Sequence, residues 1–309
     1  MTAIQPREAT PYLYRVSGWT VGSPRPLPYL LACDDMAVAP DIEVAFEPLA
    51  PIGAAPAVVL GSCHIFAPGL VDLRLPSGLN IRISAGHRLT VEQPPGCSET
   101  DVHAYLFGSA FTILAQQRGR PMLHASAMEI DGAAIAVAGH SGAGKSTTAR
   151  ALMQRGHRLL ADDKLMVDAE TGVAHASYPS TKLWADAAAL LGHPLGDAPR
   201  VRPDLDKFHL SAADQFSAAS LPLKGIFLLV RDGALAQPSA RRLPPAEALA
   251  TLPRFVHYPN VMAALGAKPA IFRWAAGLAG RTSVHLVHRP EDPDKVDALI
   301  DLLLELSAA

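Results

Sequence analysis

The run Gly139-His140-Ser141-Gly142-Ala143-Gly144-Lys145-Ser146-Thr147 fits the pattern G-x-x-x-x-G-K-[ST] at every position. Residue type dictates the chemistry. Glycines let the backbone fold around a phosphate so that successive N–H groups point inward. A helix that starts where the loop ends adds a favourable field for an anion. Lys145 can reach the β- and γ-phosphates, and the Ser146 hydroxyl can ligate Mg²⁺. The stretch Gly139, Ser141, Gly142, Ala143, Gly144, Lys145, Ser146 and Thr147 is therefore expected to hold a nucleoside triphosphate, taken here as ATP, with Mg²⁺.

A second group follows closely. Asp162 and Asp163 stand only 17 residues beyond Lys145, after the short apolar run RLLA. One helix and one tight return would bring both carboxylates to the C-terminal end of the next strand, where α/β sheets place their sites. Two carboxylates could divide the holding of a metal and the acceptance of a hydroxyl proton. Neighbours on a strand face opposite ways, so the two should not share one task. His124 is the third candidate. PMLHASAMEI reads as a strand, and Asp131-Gly132 as a two-residue hairpin turn. If Ile130 pairs with Ala133, counting back sets His124 opposite Gly139, beside the mouth of the loop. Farther on, the polar stretch from Arg200 to Phe208 could clamp phosphate or substrate through Arg200, Arg202 and Lys207, or be a solvated loop.

Elements must position these groups. Ala133 to Ala138 (AAIAVA) reads as the buried strand entering the loop, and Thr147 to Gln154 as the helix leaving it, ended by Gly156. Residues 1–97 read as a β-rich N-terminal region, with strands at Tyr12–Val16, Ala57–Leu60 and Leu79–Ile83 between Pro and Gly clusters. Residues 98–309 read as the P-loop domain. It opens on a helix capped near Ser98 that carries Val102, Leu106, Ile113 and Leu114 and stops by Gly119. Strands are expected at Leu165–Val167, Val173–His175, Ser177–Pro179 and Ile226–Val230, with helices near Trp184 and from Pro245. Asp292 and Pro293 start a terminal amphipathic helix with Val296, Leu299, Ile300 and Leu303 on one face. His285 and His288 point to opposite sides of a strand, which argues against a shared metal. The fold class is mixed α/β (α+β), a P-loop core with a mixed sheet behind a β-rich region.

Composition excludes several classes. The chain has 309 residues, 49% of them hydrophobic, enough for one large or two modest domains with a real core. A net charge of −2 without long Lys/Arg runs gives no case for nucleic acid. Cys33, Cys63 and Cys97 form no C-x-x-C pair, so neither a zinc pattern nor a disulfide framework is present, which suits a reducing cytosol. The first residues lack the apolar core of a secretory signal, and no apolar run reaches membrane-spanning length. The sequence reads as soluble and cytoplasmic, with no membrane partner.

The run LHASAMEIDGAAIAVAGHSGAGKSTTARALMQRGHRLLADDKLMV is similar to the catalytic core of HPr kinase/phosphorylase. The shared features are the histidine on the preceding strand, the GxSGxGKS loop, RGH at the helix end, and the DD pair. YPSTKLW, DKFHL and the opening YRVSGWTVGSPRPLP resemble an HPr-kinase-related subgroup encoded with peptide-modification enzymes, including lasso peptide kinases. The resemblance implies Asp162 as base toward an acceptor hydroxyl, and Asp163 with Ser146 on the Mg²⁺ side. It also implies Lys145 at the transferred group and His124 steering the base or the phosphate. One departure bears on direction. The family's E-x-R-G-[LI]-G stretch, tied to phosphorolysis, has no counterpart: residues 168–225 hold one glutamate, Glu170, followed by Thr-Gly. The implied activity is a kinase of a serine-type hydroxyl on a peptide, with a lasso (RiPP) precursor as the leading partner. A bifunctional HPr kinase/phosphorylase and a nucleotide-binding regulator without transfer chemistry are the alternatives. Kinases of this family often assemble, so the resemblance also allows a homo-oligomer.

Overall fold

In the computed structural model, which describes residues 12–201 and 205–308, two large sheets carry the chain. Nine strands between Tyr12–Val16 and Arg88–Glu92 form the first. Its alternating positions, such as Ile81 and Ile83 of Asn80–Ser84, turn inward and are fully buried. The expected strands at Tyr12–Val16, Ala57–Leu60 and Leu79–Ile83 appear as Tyr12–Val16, Val58–Leu60 and Asn80–Ser84.

Ser98 caps the helix that follows, its hydroxyl accepting from the Asp101 amide at 3.1 Å. The helix is not uniform. Glu99–Tyr105 is α-helical, Leu106–Ala110 is a π turn, and Phe111–Gln117 is α-helical again. Phe107, Phe111, Ile113 and Leu114 enter the same apolar core as Ile81, Ile83 and Leu89, so this helix closes the first sheet. The Thr112 hydroxyl donates to Gly108 O at 2.8 Å inside the irregular turn. Hydrophobic spacing is blind to such a π turn, because it keeps one face buried while adding a residue.

The second sheet holds the loop. Its P-loop strand, Ala133–Gly139, lies between Ala125–Ile130, antiparallel, and Leu221–Arg231, parallel. Ala125–Ile130 pairs on its far side with Arg158–Ala161, and Leu221–Arg231 pairs in parallel with Ser283–Arg289. The alternation in AAIAVA sorts the faces. Ala134, Ala136 and Ala138 pack with Trp274, Leu278 and Phe255, whereas Ile135 and Val137 pack with Leu152, Ile300 and Leu303. Small residues on one face let helices approach closely, while branched ones on the other fill the space beneath the P-loop helix Lys145–Gln154. The terminal helix Val296–Ala308 buries Leu299, Ile300 and Leu303, three of the four residues expected on its apolar face. Among the described residues, no helix is long and apolar enough to cross a membrane.

Three local expectations are corrected. Ser177–Pro179 is not a strand: the Ser177 amide donates to Leu160 O, and pairing begins at Ser180–Trp184 beyond the proline. Lys207 is not in a loop but opens the strand Lys207–Ser211, which pairs with Ser180–Trp184. The helix Lys268–Arg281 has no counterpart in the sequence reading, because Gly277 and Gly280 interrupt its apolar pattern. Gly277 is there for space. A Cβ at that position would lie 2.5 Å from Ala169 O.

His103 and His209 are buried in an aromatic cluster with Tyr29, Tyr178 and Phe107. Burial first, then the neighbouring His209 and Lys182, pushes His103 down to about 3; burial first, then Lys182, pushes His209 down to about 4. An unfolded histidine takes up a proton below about pH 6.5. The folded rings do not until far lower pH, so acid favours the unfolded chain. Stability should be complete above pH 6.5 and fall by about 1.4 kcal/mol per pH unit for each ring below it. Urea unfolding at pH 7.5, 6 and 5 checks this. His209→Phe, which keeps the stacking on Tyr29, should make that slope shallower by about 1.4 kcal/mol per unit.

Candidate active site

The loop closes as its sequence demands. A Cβ on Gly139 would stand 2.8 Å from Ala143 Cβ, and Gly144 has φ +101, a left-handed conformation at the start of the helix. Ser141, Gly142, Gly144, Lys145, Ser146 and Thr147 face a cavity of about 790 Å³, within the range of cofactor pockets. Gly139 and the buried Ala143 shape the loop from behind. Lys145 Nζ donates to Gly139 O at 2.9 Å and His140 O at 3.3 Å, which keeps the ammonium over the loop. Burial lowers the Lys145 pKa, opposed in part by Asp163 and Asp162. Arg289, at the end of the last strand, donates from Nε to Ala143 O at 2.7 Å and braces the loop. No motif marks Arg289. Its signal is topological, since a parallel strand beside a P-loop strand ends at the same edge of the sheet.

The two aspartates part company. Asp162 is buried and accepts from the Ser126 hydroxyl at 2.6 Å, the Ser146 hydroxyl at 3.1 Å and the Lys182 amide at 2.8 Å. Among the described residues no cationic side chain lies within ion-pair distance of it. Asp163 turns the other way because its φ is +73. Its carboxylate meets His124 Nε2 at 3.2 Å, Lys164 Nζ at 2.7 Å and Lys182 Nζ at 3.5 Å, and it lines the cavity. The aspartate in contact with Ser146 is therefore Asp162, whereas the sequence reading pairs Ser146 with Asp163. Strand alternation does not produce the divergence; a left-handed residue just past the strand end does.

Electrostatics follow from this enclosure. Burial alone would raise the Asp163 pKa, but Lys164, Lys182 and the hydrogen bond from His124 outweigh it and hold the carboxyl well below its usual range. Lys182 shows the mirror image. Burial would lower it, yet Asp163, with smaller help from Tyr178 and Asp162, raises it above the ordinary lysine value.

His124 reaches the site by leaving the sheet. The hairpin register is Ile130↔Ala133 through Ala125↔Ala138, and His124 then departs rather than pairing with Gly139. Its amide donates to Phe255 O at 2.8 Å, and the His257 amide donates to Met122 O at 2.8 Å. This short cross-chain pairing brings a residue that sequence reasoning missed, His257, whose ring stands edge-on to His124 with centroids 5.1 Å apart. Burial first, then Lys164, pushes His257 down to about 3, so it is neutral. Of the basic stretch, Lys207 lines the cavity, with its pKa lowered chiefly by burial. Arg200 does not reach the cavity: it binds Leu205 O at 3.0 Å and Asp206, and lies over the Phe208 ring. Arg202 lies outside the described residues.

A divalent cation suits one part of this site. Ser146 Oγ and Asp162 Oδ1 offer hard oxygens, and a buried carboxylate without a cationic partner has charge left to compensate. The ligand-capable atoms of His124, Asp163 and His257 also lie within 4.8 Å of one another. There, however, two ammonium groups already occupy the carboxylate and would repel a further cation.

Removing one of those ammoniums should be costly. Lys182→Met is expected to destabilise the protein by about 1–3 kcal/mol, less than for a fully buried pair, because Asp163 is half-buried and keeps Lys164 and His124. A carboxyl with a depressed folded pKa contributes stability at neutral pH that is lost as pH falls through the depressed value. The variant should therefore also begin its acid unfolding at higher pH, measured by denaturant titration across pH.

The HPr Serine kinase C-terminal domain matches residues 114–181. The HPr kinase/phosphorylase of Lactobacillus delbrueckii subsp. bulgaricus is 36% identical over 111 residues, which are 35% of this chain and 34% of that protein. That of Clostridium kluyveri is 46% identical over 57 residues, 18% of each. The structure of the Hpr(Ser) kinase/phosphatase from Coxiella burnetii aligns with TM-score 0.32 and 14% identity, over 60% of this chain and 88% of that one. The chain thus spans about a third or less of the length of these curated relatives. Across the hairpin, phosphate loop and aspartate pair described above, this protein is HPr-kinase-like.

Proposed function

We propose that the chain is an ATP- and Mg²⁺-dependent kinase that phosphorylates a serine-type hydroxyl on a peptide or protein. One observation carries this reading: a carboxylate held ionised by His124, Lys164 and Lys182 faces the phosphate loop across one cavity. A protein that only binds a triphosphate has no use for such a group.

The geometry favours exchanged roles for the aspartates. Ser146 and Asp162 would hold Mg²⁺, which supplies charge neutralisation at the β- and γ-phosphates. Asp163 would accept a hydrogen bond from the acceptor hydroxyl and take its proton as the oxygen attacks. His124 on one oxygen of Asp163 and the ammonium groups of Lys164 and Lys182 on the other would together fix how the carboxylate is presented to the acceptor. Lys145 would move from the loop carbonyls to the transferred phosphoryl group, and Arg289 would keep the loop in shape. Lys207 would add positive charge along the acceptor side, beside Trp184.

The acceptor is drawn from two kinds of support. The names of the relatives point to serine on HPr, whereas YPSTKLW, DKFHL and the N-terminal region resemble kinases of lasso precursors. The lack of an E-x-R-G-[LI]-G stretch favours transfer from ATP over phosphorolysis. In this reading the chain works in the cytoplasm, where ATP is supplied, and divides at residue 97 into a β-rich region and a kinase domain. The helix that opens the second part fills the core of the first.

Label transfer from γ-³²P-ATP to HPr and to serine-containing precursor peptides tests the reading; ATP affinity without labelled acceptor would leave a nucleotide-binding regulator. With an accepted substrate, Asp163→Asn should lower transfer by about 10²- to 10⁴-fold, with ATP affinity little changed. Asp162→Asn should instead raise the Mg²⁺ concentration needed for half-maximal rate. Undiminished transfer by Asp163→Asn would reverse the assignment.

A further inference from the structure

His257 stands in the cavity with no task in the mechanism above, yet several costly features converge to place it. Gln116, itself buried, donates from Nε2 to His257 O at 2.7 Å and to Tyr258 O at 3.2 Å. Tyr258 adopts φ +53, a left-handed conformation unfavourable for a bulky side chain. Its hydroxyl bonds Ser109 Oγ at 2.9 Å, on the π turn of the first helix. The His257 amide is tied to Met122 O. Backbone, neighbour and irregular helix therefore all fix one imidazole.

The ring's own polar atoms indicate what it offers. Nδ1 is buried without a hydrogen-bond partner. A lone pair in that position is better tolerated than an unsatisfied N–H, so the neutral ring carries its proton on Nε2. Among the described residues Nε2 has no partner within the protein, and the ring lines the cavity. A donor is thus presented to whatever occupies the space between the P-loop and Asp163. As packing alone, the position would be better served by an apolar ring, since a buried unpaired nitrogen costs stability.

We infer that His257 is a catalytic residue that donates a hydrogen bond from Nε2–H to the phosphoryl group in transit. The inference rests on the kinase reading. In the transfer, the acceptor oxygen forms its bond to the γ-phosphorus while the bond from that phosphorus to the β–γ bridging oxygen breaks. The acceptor proton goes to Asp163, the bond pair leaves with ADP, and His257 keeps its own proton throughout. Lys145 would reach the phosphoryl oxygens from the loop side and His257 from the opposite side, so that charge spread over the equatorial oxygens meets donors on both.

The test uses Mg²⁺, ADP and aluminium fluoride, whose planar complex mimics the transferred group and needs no known acceptor. Titration calorimetry on the full chain gives the affinity for ADP with and without fluoride. Wild type should bind ADP more tightly when the mimic is present. His257→Phe, which keeps the ring against His124, should lose about 10²-fold of that tightening, the usual effect of one missing transition-state donor, with affinity for ADP alone unchanged. His257→Gln, which returns an N–H near the same place, should recover to within about tenfold of wild type. Equal tightening in wild type and His257→Phe would overturn the role of His257, as would a loss in His257→Gln as large as in His257→Phe. No tightening in wild type would instead count against the transfer reading itself.

Discussion

Enclosure of the Asp163 carboxylate is the constraint from which the site is built. A charge withdrawn from water must be compensated by partners in fixed positions, or it takes up a proton. Here the partners come from separate parts of the chain: Lys164 next in sequence, Lys182 from a later strand, and His124 from the end of the hairpin. Each is useful only if the sheet brings it to one place. Ala161 must lie beside Ala127, the hairpin must turn at Asp131-Gly132, and the strand Ser180–Trp184 must run past Asp162. The carboxylate therefore acts as a test of correct assembly as well as a group for chemistry.

Asp162 shows the complementary solution. It is more deeply buried than the half-buried Asp163, but neutral hydroxyls and an amide satisfy it, so its negative charge is solvated without being cancelled. Two adjacent residues of one type thus acquire different character from their surroundings. One is saturated with cations and hydrogen-bonded to an imidazole; the other retains charge beside a P-loop hydroxyl. This contrast is what supports assigning them to proton acceptance and to metal.

Much of this was legible in the sequence. The loop, its strand and its helix follow from glycine spacing and apolar runs, and the hairpin register from a two-residue turn. What lay beyond reading was of two kinds. The left-handed conformation at Asp163 is adopted by a residue whose type tolerates it without requiring it, so the direction of its carboxylate was open. Arg289, Ser126 and His257 come from distant or unmarked segments, and they meet the loop only through strand pairing. The two glycines inside Lys268–Arg281 misled for the opposite reason: a rule about helix propensity gave way to a demand for space.

The helical segment Glu99–Gln117 has a role on each of its sides. Through Phe107 and Phe111 it is the lid of the first sheet's core; through Gln116 and Ser109 it grips the backbone and neighbour of His257. A structural member shared in this way joins two folding units into one cooperative system. Loosening the β-rich layer would loosen the phosphate site with it, although none of the described residues of that layer lines the cavity. Anything that docked on the N-terminal sheet and stiffened or strained it would thus hold mechanical leverage over the chemistry through one helix.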